Sequence, residues 1–302
     1  MNARVMLVAA VAAAAAVTSA CSPTVTGTAS PASEAGPAPA PGTVAAAPLV
    51  VGSQNTWIDV TGRGNITQLD SVPPTQYSST PRPGITAVSD QQGEGRRVCT
   101  LGPAIRGSNG DGFAIAGHCG EVDPVQRLQL GPNHADIHDY ASVSDRAHGV
   151  FDPVSGMLLD SAALWGGAVG PAAVRIADTW PVAGVMTRNA VSKLPKGTSV
   201  CFDGAVSAVT CGPLIDTDSA GELEFGIPAV KGDSGSAVFL VDGNTGAATL
   251  VGIVASTQQG HTYATYLEPA LTHLSATALV DPAAANVVSG DPRYSTRVAP
   301  LT

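Results

Sequence analysis

The chain has 302 residues, enough for one or two domains, and its 15 Lys and Arg against 24 Asp and Glu leave a net charge of −9. No basic run is present to follow a phosphate backbone, which argues against nucleic acid as a partner. Charged residues make up 13% and aromatics 4%, while Gly (34) and Pro (23) are plentiful, a balance that suits many short strands and turns better than long helices.

Arg4 precedes an apolar run, Val5 to Val17, of 13 residues. That is too short to span a bilayer, which takes about 20 helical residues. Residues 1–20 therefore read as a signal peptide. The run ends Val17-Thr18-Ser19-Ala20-Cys21. Two outcomes stay open there: cleavage at the small residues around Ala20, or a lipoprotein box in which Cys21 is lipidated and anchors the chain to a membrane. Residues 22 to about 50 are Ser, Thr, Ala, Pro and Gly with almost no charge, a composition that cannot bury enough surface to fold. Trp57-Ile58-Asp59-Val60 could form a strand, but Pro73-Pro74, Pro81 and Pro83 interrupt the residues after it. The whole of 21–92 is thus expected to be a linker or a short pro-segment. No internal repeat is visible.

Order is expected to begin near residue 93. Arg97-Val98-Cys99-Thr100-Leu101-Gly102 reads as a strand, followed by a glycine-rich turn over 107–112. Then Phe113-Ala114-Ile115-Ala116-Gly117-His118-Cys119-Gly120 runs from an apolar strand into small residues and His-Cys. Here the sequence resembles the chymotrypsin-like serine proteases, in particular their bacterial branch. In that family this stretch carries the general base, and the cysteine beside it closes a disulfide to an earlier strand. The resemblance therefore implies His118 as base and a Cys99–Cys119 bridge. A core histidine beside a buried cysteine is the plainer reading of this stretch taken alone.

The family order places an acid between base and serine. Asp160-Ser161-Ala162-Ala163-Leu164 and Asp139-Tyr140-Ala141-Ser142-Val143 both fit its pattern. Spacing favours Asp160, 42 residues past His118, because 21 residues leave little room for several strands of about 5–6 residues with their turns. His134 and His138 lie four apart near Asp136 and Asp139. Such spacing gathers ligands only on a helix, and the preceding Gly131-Pro132-Asn133 argues for a loop, so no metal site is expected.

Gly166 to Pro171 reads as the crossover between two barrels, and strand candidates follow at 182–191, 198–202, 205–210, 222–226, 234–241 and 248–255. The resemblance pairs Cys201 with Cys211 across a hairpin. Five cysteines then become two bridges plus Cys21, which favours the lipidated reading and an oxidising, exported location.

Lys231-Gly232-Asp233-Ser234-Gly235-Ser236 leads directly into the apolar run Ala237 to Val241. A Gly-Asp-Ser-Gly turn feeding a strand holds a serine out of the backbone, and the N–H groups of Gly232 and Ser234 would converge on an oxyanion. By resemblance, Gly252 to Thr257 lines the substrate cleft, with Ser256 near the acid, Gln258 where the family commonly has Gly, and the pocket floor near Pro228. With no Asp there, a trypsin-like choice of Lys or Arg is not expected. Phe202 stands where bacterial relatives often carry an Arg that pairs the Asp before the nucleophile. Leu267 to Leu279 is expected to include a C-terminal helix, and 281–302 to be a loose tail.

The expected fold is all-β: two packed six-stranded antiparallel barrels over 93–280 with a C-terminal helix, preceded by a signal peptide and a disordered linker. The function implied is an exported, monomeric serine endopeptidase acting on peptide or protein through His118, Asp160 and Ser234, with no cofactor. The alternative is a catalytically silent, protease-like module that binds peptides at the cell envelope. An α/β-hydrolase is disfavoured, because Ser236 stands where its elbow needs Gly and only 68 residues follow Ser234.

Overall fold

The computed structural model describes residues 55–91 and 95–302. The signal peptide, Cys21 and the linker up to residue 54 lie outside the described residues.

Alternating strands joined by tight turns close into two rings of six. The first consists of β1 (Thr86–Gln91), β2 (Gly95–Thr100, resuming at Ala104–Gly107 after a bend), β3 (Gly110–Ile115), β4 (Val125–Gln129), β5 (Ile137–Asp152) and β6 (Met157–Leu164). Neighbours around this ring are β1, β2, β3, β6, β5, β4 and β1 again, all antiparallel. The long β5 serves two partners, pairing with β4 in its first part and with β6 in its second.

The second ring consists of β7 (Ser199–Gly204), β8 (Ala208–Ser219), β9 (Glu222–Phe225), β10 (Ala237–Asp242), β11 (Ala248–Gln258) and β12 (His261–Tyr266). It closes through β7, β8, β9, β12, β11, β10 and back to β7. Each ring has its own apolar filling. Ile85, Leu101, Phe113, Ile115, Leu128 and Leu164 pack inside the first, and Phe202, Leu214, Phe225, Val238, Val251 and Tyr266 inside the second. Closure leaves few free sheet edges, the usual liability of a β protein.

Several expectations need correction. The folded part starts before residue 93, since Thr86–Gln91 is a ring strand rather than linker. Upstream of it, Trp57 and Ile58 pair with Asp242 and Val241 at the end of β10. Gln76 is fully buried and donates to Asp203 Oδ1 at 2.6 Å and to the Gly204 carbonyl at 2.9 Å. Long-range hydrogen bonds, not periodicity, order this proline-interrupted stretch.

The segment 182–191 is not one strand. The strand ends at Val185, and Arg188–Val191 is a helical turn capped by Thr187, whose hydroxyl accepts from Ala190 N at 3.2 Å. Residues 281–302 are not loose either. Helix Pro282–Val288 is capped by Asp281, and Val298–Pro300 pairs in parallel with strand Thr277–Val280. That strand follows the expected helix Leu267–His273 and joins the Ala104–Gly107 edge of the first ring, so the C-terminus ties the two rings together. Among the described residues, no helix is long and apolar enough to cross a membrane.

Candidate active site

The turn 231–236 sits between the rings. Gly232 (φ +111°) and Gly235 (φ +94°) adopt left-handed backbone conformations that favour glycine, and a side chain on Gly235 would run into the Thr100 carbonyl. Thr100, buried at the bend of β2, clamps the turn. Its N–H donates to the Ser234 carbonyl at 2.7 Å and its hydroxyl to the Gly232 carbonyl at 2.8 Å. From the other ring, Gly235 N–H donates to the Val254 carbonyl at 2.9 Å. Among the described residues, the N–H groups of Gly232 and Ser234 donate to no protein acceptor. Two donors two residues apart are thus left for a ligand oxygen.

Asp233 is fully buried beneath this turn. Its carboxylate accepts from Val206 N (3.1 Å), Ser207 N (3.0 Å), Ser207 Oγ (2.5 Å) and Val230 N (2.9 Å). Four neutral donors take the place of the arginine expected after Cys201. Phe202 instead fills the second core against Phe225, ring centres 6.2 Å apart. Beside it Asp203 is also buried, and burial pushes its pKa up to about 6, opposed by the Gln76 hydrogen bond and the nearby charge of Arg82.

His118 lies in a single 3-10 turn, Gly117–Gly120, after β3. The Cys99–Cys119 disulfide ties that turn to β2, and Cys201–Cys211 bridges β7 to β8. Arg97 donates to the His118 carbonyl. On β6, Asp160 grips the histidine twice: His118 N–H donates to Oδ1 at 2.9 Å, and ring Nδ1 lies 2.6 Å from Oδ2. The contact sets Nδ1 against the carboxyl group and leaves Nε2 on the far side of the ring. The Asp160 side chain is only 8% exposed, and its own N–H is taken by Thr265 Oγ1 at 2.9 Å. The competing acid Asp139 is 80% exposed and pairs with Arg127 at 2.7 Å.

Two clefts adjoin at Ser256. One, of about 420 Å³, is lined by His118, Asp160, Leu158, Glu222, Ser256 and Gln258, among others. The other, of about 160 Å³, is lined by Ser234, Ala229, Val230, Val254, Ser256 and Thr257 with Lys231. The histidine–acid pair and the serine therefore open on neighbouring spaces that share a wall. Pro228, expected at the pocket floor, lines neither of these two clefts; its neighbour Ala229 lines the smaller one, with its N–H donating to Thr262 Oγ1 and its carbonyl accepting from Thr257 Oγ1. Ser256 shares the cleft with Asp160 but, among the described residues, makes no hydrogen bond to it.

His118, His148 and Asp160 place three possible metal ligands within 4.8 Å of one another. The 2.6 Å contact between Asp160 and His118 is shorter than the edge of about 3.3 Å between ligands on a tetrahedral zinc with bonds near 2 Å, so it is the geometry of a hydrogen bond. The other such group, Cys99, His118 and Cys119, has both thiols locked in the disulfide.

No protein-family model and no curated protein matches the chain. Similar solved structures include Thermobifida fusca protease A, at 19% identity and a TM-score of 0.43 over 66% of this chain and 98% of that one. Nocardiopsis protease (18%, TM-score 0.40, 65% and 96%) is another. A third is a glutamic acid specific serine protease described as using a novel histidine triad in substrate binding (15%, TM-score 0.46, 66% and 100%).

The fold is all-β, two closed six-stranded antiparallel barrels.

Within this two-barrel frame, Thr100, Gln76, Ser207, Thr265 and Glu222 carry no mark in the sequence. Each acts through a partner more than twenty residues away in the chain or through a cleft, and no local motif marks such a residue.

Proposed function

We propose that the chain is an exported serine endopeptidase that cleaves peptide bonds through an acyl-enzyme. The observation that carries this reading is the 2.6 Å contact of His118 Nδ1 with Asp160 Oδ2, in a cleft whose Ser256 wall also borders Ser234. In the proposed mechanism Ser234 Oγ attacks the scissile carbonyl while His118 Nε2 takes its proton. Asp160 holds the ring tautomer and balances the imidazolium charge. The free N–H groups of Gly232 and Ser234 hold the carbonyl oxygen as it becomes anionic, and His118 then returns the proton to the leaving amine. A bound peptide extends the sheet along Ser256–Gln258, which pairs on only one side, with β12.

The small cleft beside Ser234 has Lys231 and no acidic residue in its lining, so it disfavours a basic side chain and takes one of modest size. The enzyme works as a monomer, without cofactor or nucleic acid. The two disulfides fit an oxidising compartment. Export through residues 1–20, with Cys21 lipidated or the chain freed at Ala20, completes the proposal.

A fluorophosphonate probe should label Ser234, with the site read by mass spectrometry. Labelling should vanish in Ser234→Ala and fall by orders of magnitude in His118→Ala. Folded protein that takes no label would overturn the reading. Two departures from the family pattern, Phe202 and Gln258, are what would favour the silent-module alternative. The first is a core residue with Asp233 satisfied elsewhere, and the second is exposed at the cleft rim. Peptide hydrolysis that disappears in Ser234→Ala separates the two readings.

A further inference from the structure

Glu222 opens β9 and lines the larger cleft together with His118, Asp160 and Leu158. It is 9% exposed, yet among the described residues no donor and no cation contacts its carboxyl group. Its neighbours offer no compensation. The next acid on the strand, Glu224, is matched by His261 at 2.6 Å, whereas the charge felt most by Glu222 is that of Asp160. Burial, with Asp160 adding, pushes the Glu222 pKa up to about 7. The remaining charged or titratable groups around the cleft are accounted for. Arg97 is engaged at the His118 carbonyl, His148 lies 3.5 Å from Glu121, and Tyr263 on β12 is influenced by both Glu222 and Glu224. The Glu222 oxygens are not among the sealed, unpartnered polar atoms and open on the cleft, so what the carboxylate lacks is a counter-charge rather than solvent. The opening through which that could come is the cleft itself.

We propose that Glu222 is the anchor of a subsite for a cationic side chain, the ammonium or guanidinium of a peptide residue that lies over His118 and Asp160, next to the residue held beside Ser234. The inference rests on the protease reading for its substrate class, but the subsite is a property of the cleft and binds cations whether or not the serine reacts. An incoming Lys or Arg donates to the Glu222 carboxylate and screens it from Asp160. The peptide favoured is then basic at this position but not at the serine pocket. The overall charge of −9 draws such peptides towards the protein.

Two arms test this. In the first, Ser234→Ala protein is titrated with n-butylguanidinium and followed by NMR. The amides of Leu158, Glu222 and Leu223 should shift saturably, and Glu222→Gln, of the same shape, should weaken that binding at least tenfold. Absence of those shifts, or shifts equally strong in Glu222→Gln with a native spectrum, overturns the subsite. In the second arm, the active protein is given a peptide library. Lys or Arg should be preferred over Met or norleucine about tenfold or more in kcat/KM at one position on the amino side of the cut. The Gln variant should lose that preference while still cleaving neutral peptides. Hydrolysis with no basic preference overturns the proposal and leaves the protease standing. Cation binding without any hydrolysis or labelling leaves the subsite standing and removes the protease.

Discussion

Glu222 makes a prediction that needs no substrate. Its pKa is raised from an ordinary 4.5 to about 7 by folding, so the folded state holds the proton more tightly than the unfolded chain. The stabilisation this brings is full below pH 4.5 and is lost as pH rises through 7. Glu222→Gln keeps the shape and removes the charge. It should raise the melting temperature at pH 8, by the equivalent of about 1–2 kcal/mol once screening at the cleft mouth is allowed for, and make little difference at about pH 4. Equal melting temperatures at pH 8 would mean that the carboxylate finds a partner in solution. Asp233 shows the opposite solution to the same problem. There four neutral donors surround a buried carboxylate, so no cation is required.

At the scale of elements, legibility tracked how local each signal was. The Gly-Asp-Ser-Gly turn could be read because Gly232, Asp233, Ser234 and Gly235 are adjacent; in the structure its two glycines adopt left-handed conformations. His118 could be read because the apolar strand before it and the cysteine after it are contiguous. Asp160 could be ranked above Asp139 only by counting residues, and its contact with His118 spans 42 positions. Glu222 was invisible: Glu222 and Glu224 flank Leu223 in a pattern that reads as an ordinary solvated strand face. Helix Pro282–Val288 does carry a local signal, since Asp281-Pro282 is a cap followed by proline at the first helical position, yet the loose composition around it hides that signal. Asp281→Ala should cost about 1 kcal/mol in thermal or denaturant unfolding, because the carboxylate accepts from Ala283 N at 2.9 Å and from Ala284 N. No change would show that the C-terminal segment frays independently of the barrels.

Over the whole molecule, long-range ties carry the architecture. Cys99–Cys119 closes a span of 20 residues that includes β3 and the turn bearing His118. Replacing both cysteines with serine should lower stability by about 3 kcal/mol in denaturant unfolding, with retained strand content by circular dichroism. A smaller loss would mean that Thr100 and the ring pairing already hold that span. The N-terminal stretch is another tie of this kind. Its Gln76 donates to Asp203 and to the Gly204 carbonyl of the second ring, and β1 completes the first ring. Clipping the chain between residue 76 and residue 92 would therefore pull a stave out of the barrel rather than uncover a finished one. Activation of the proposed protease by trimming its leading end into that ring is therefore not expected, because the cut would remove a wall of the fold it is meant to release.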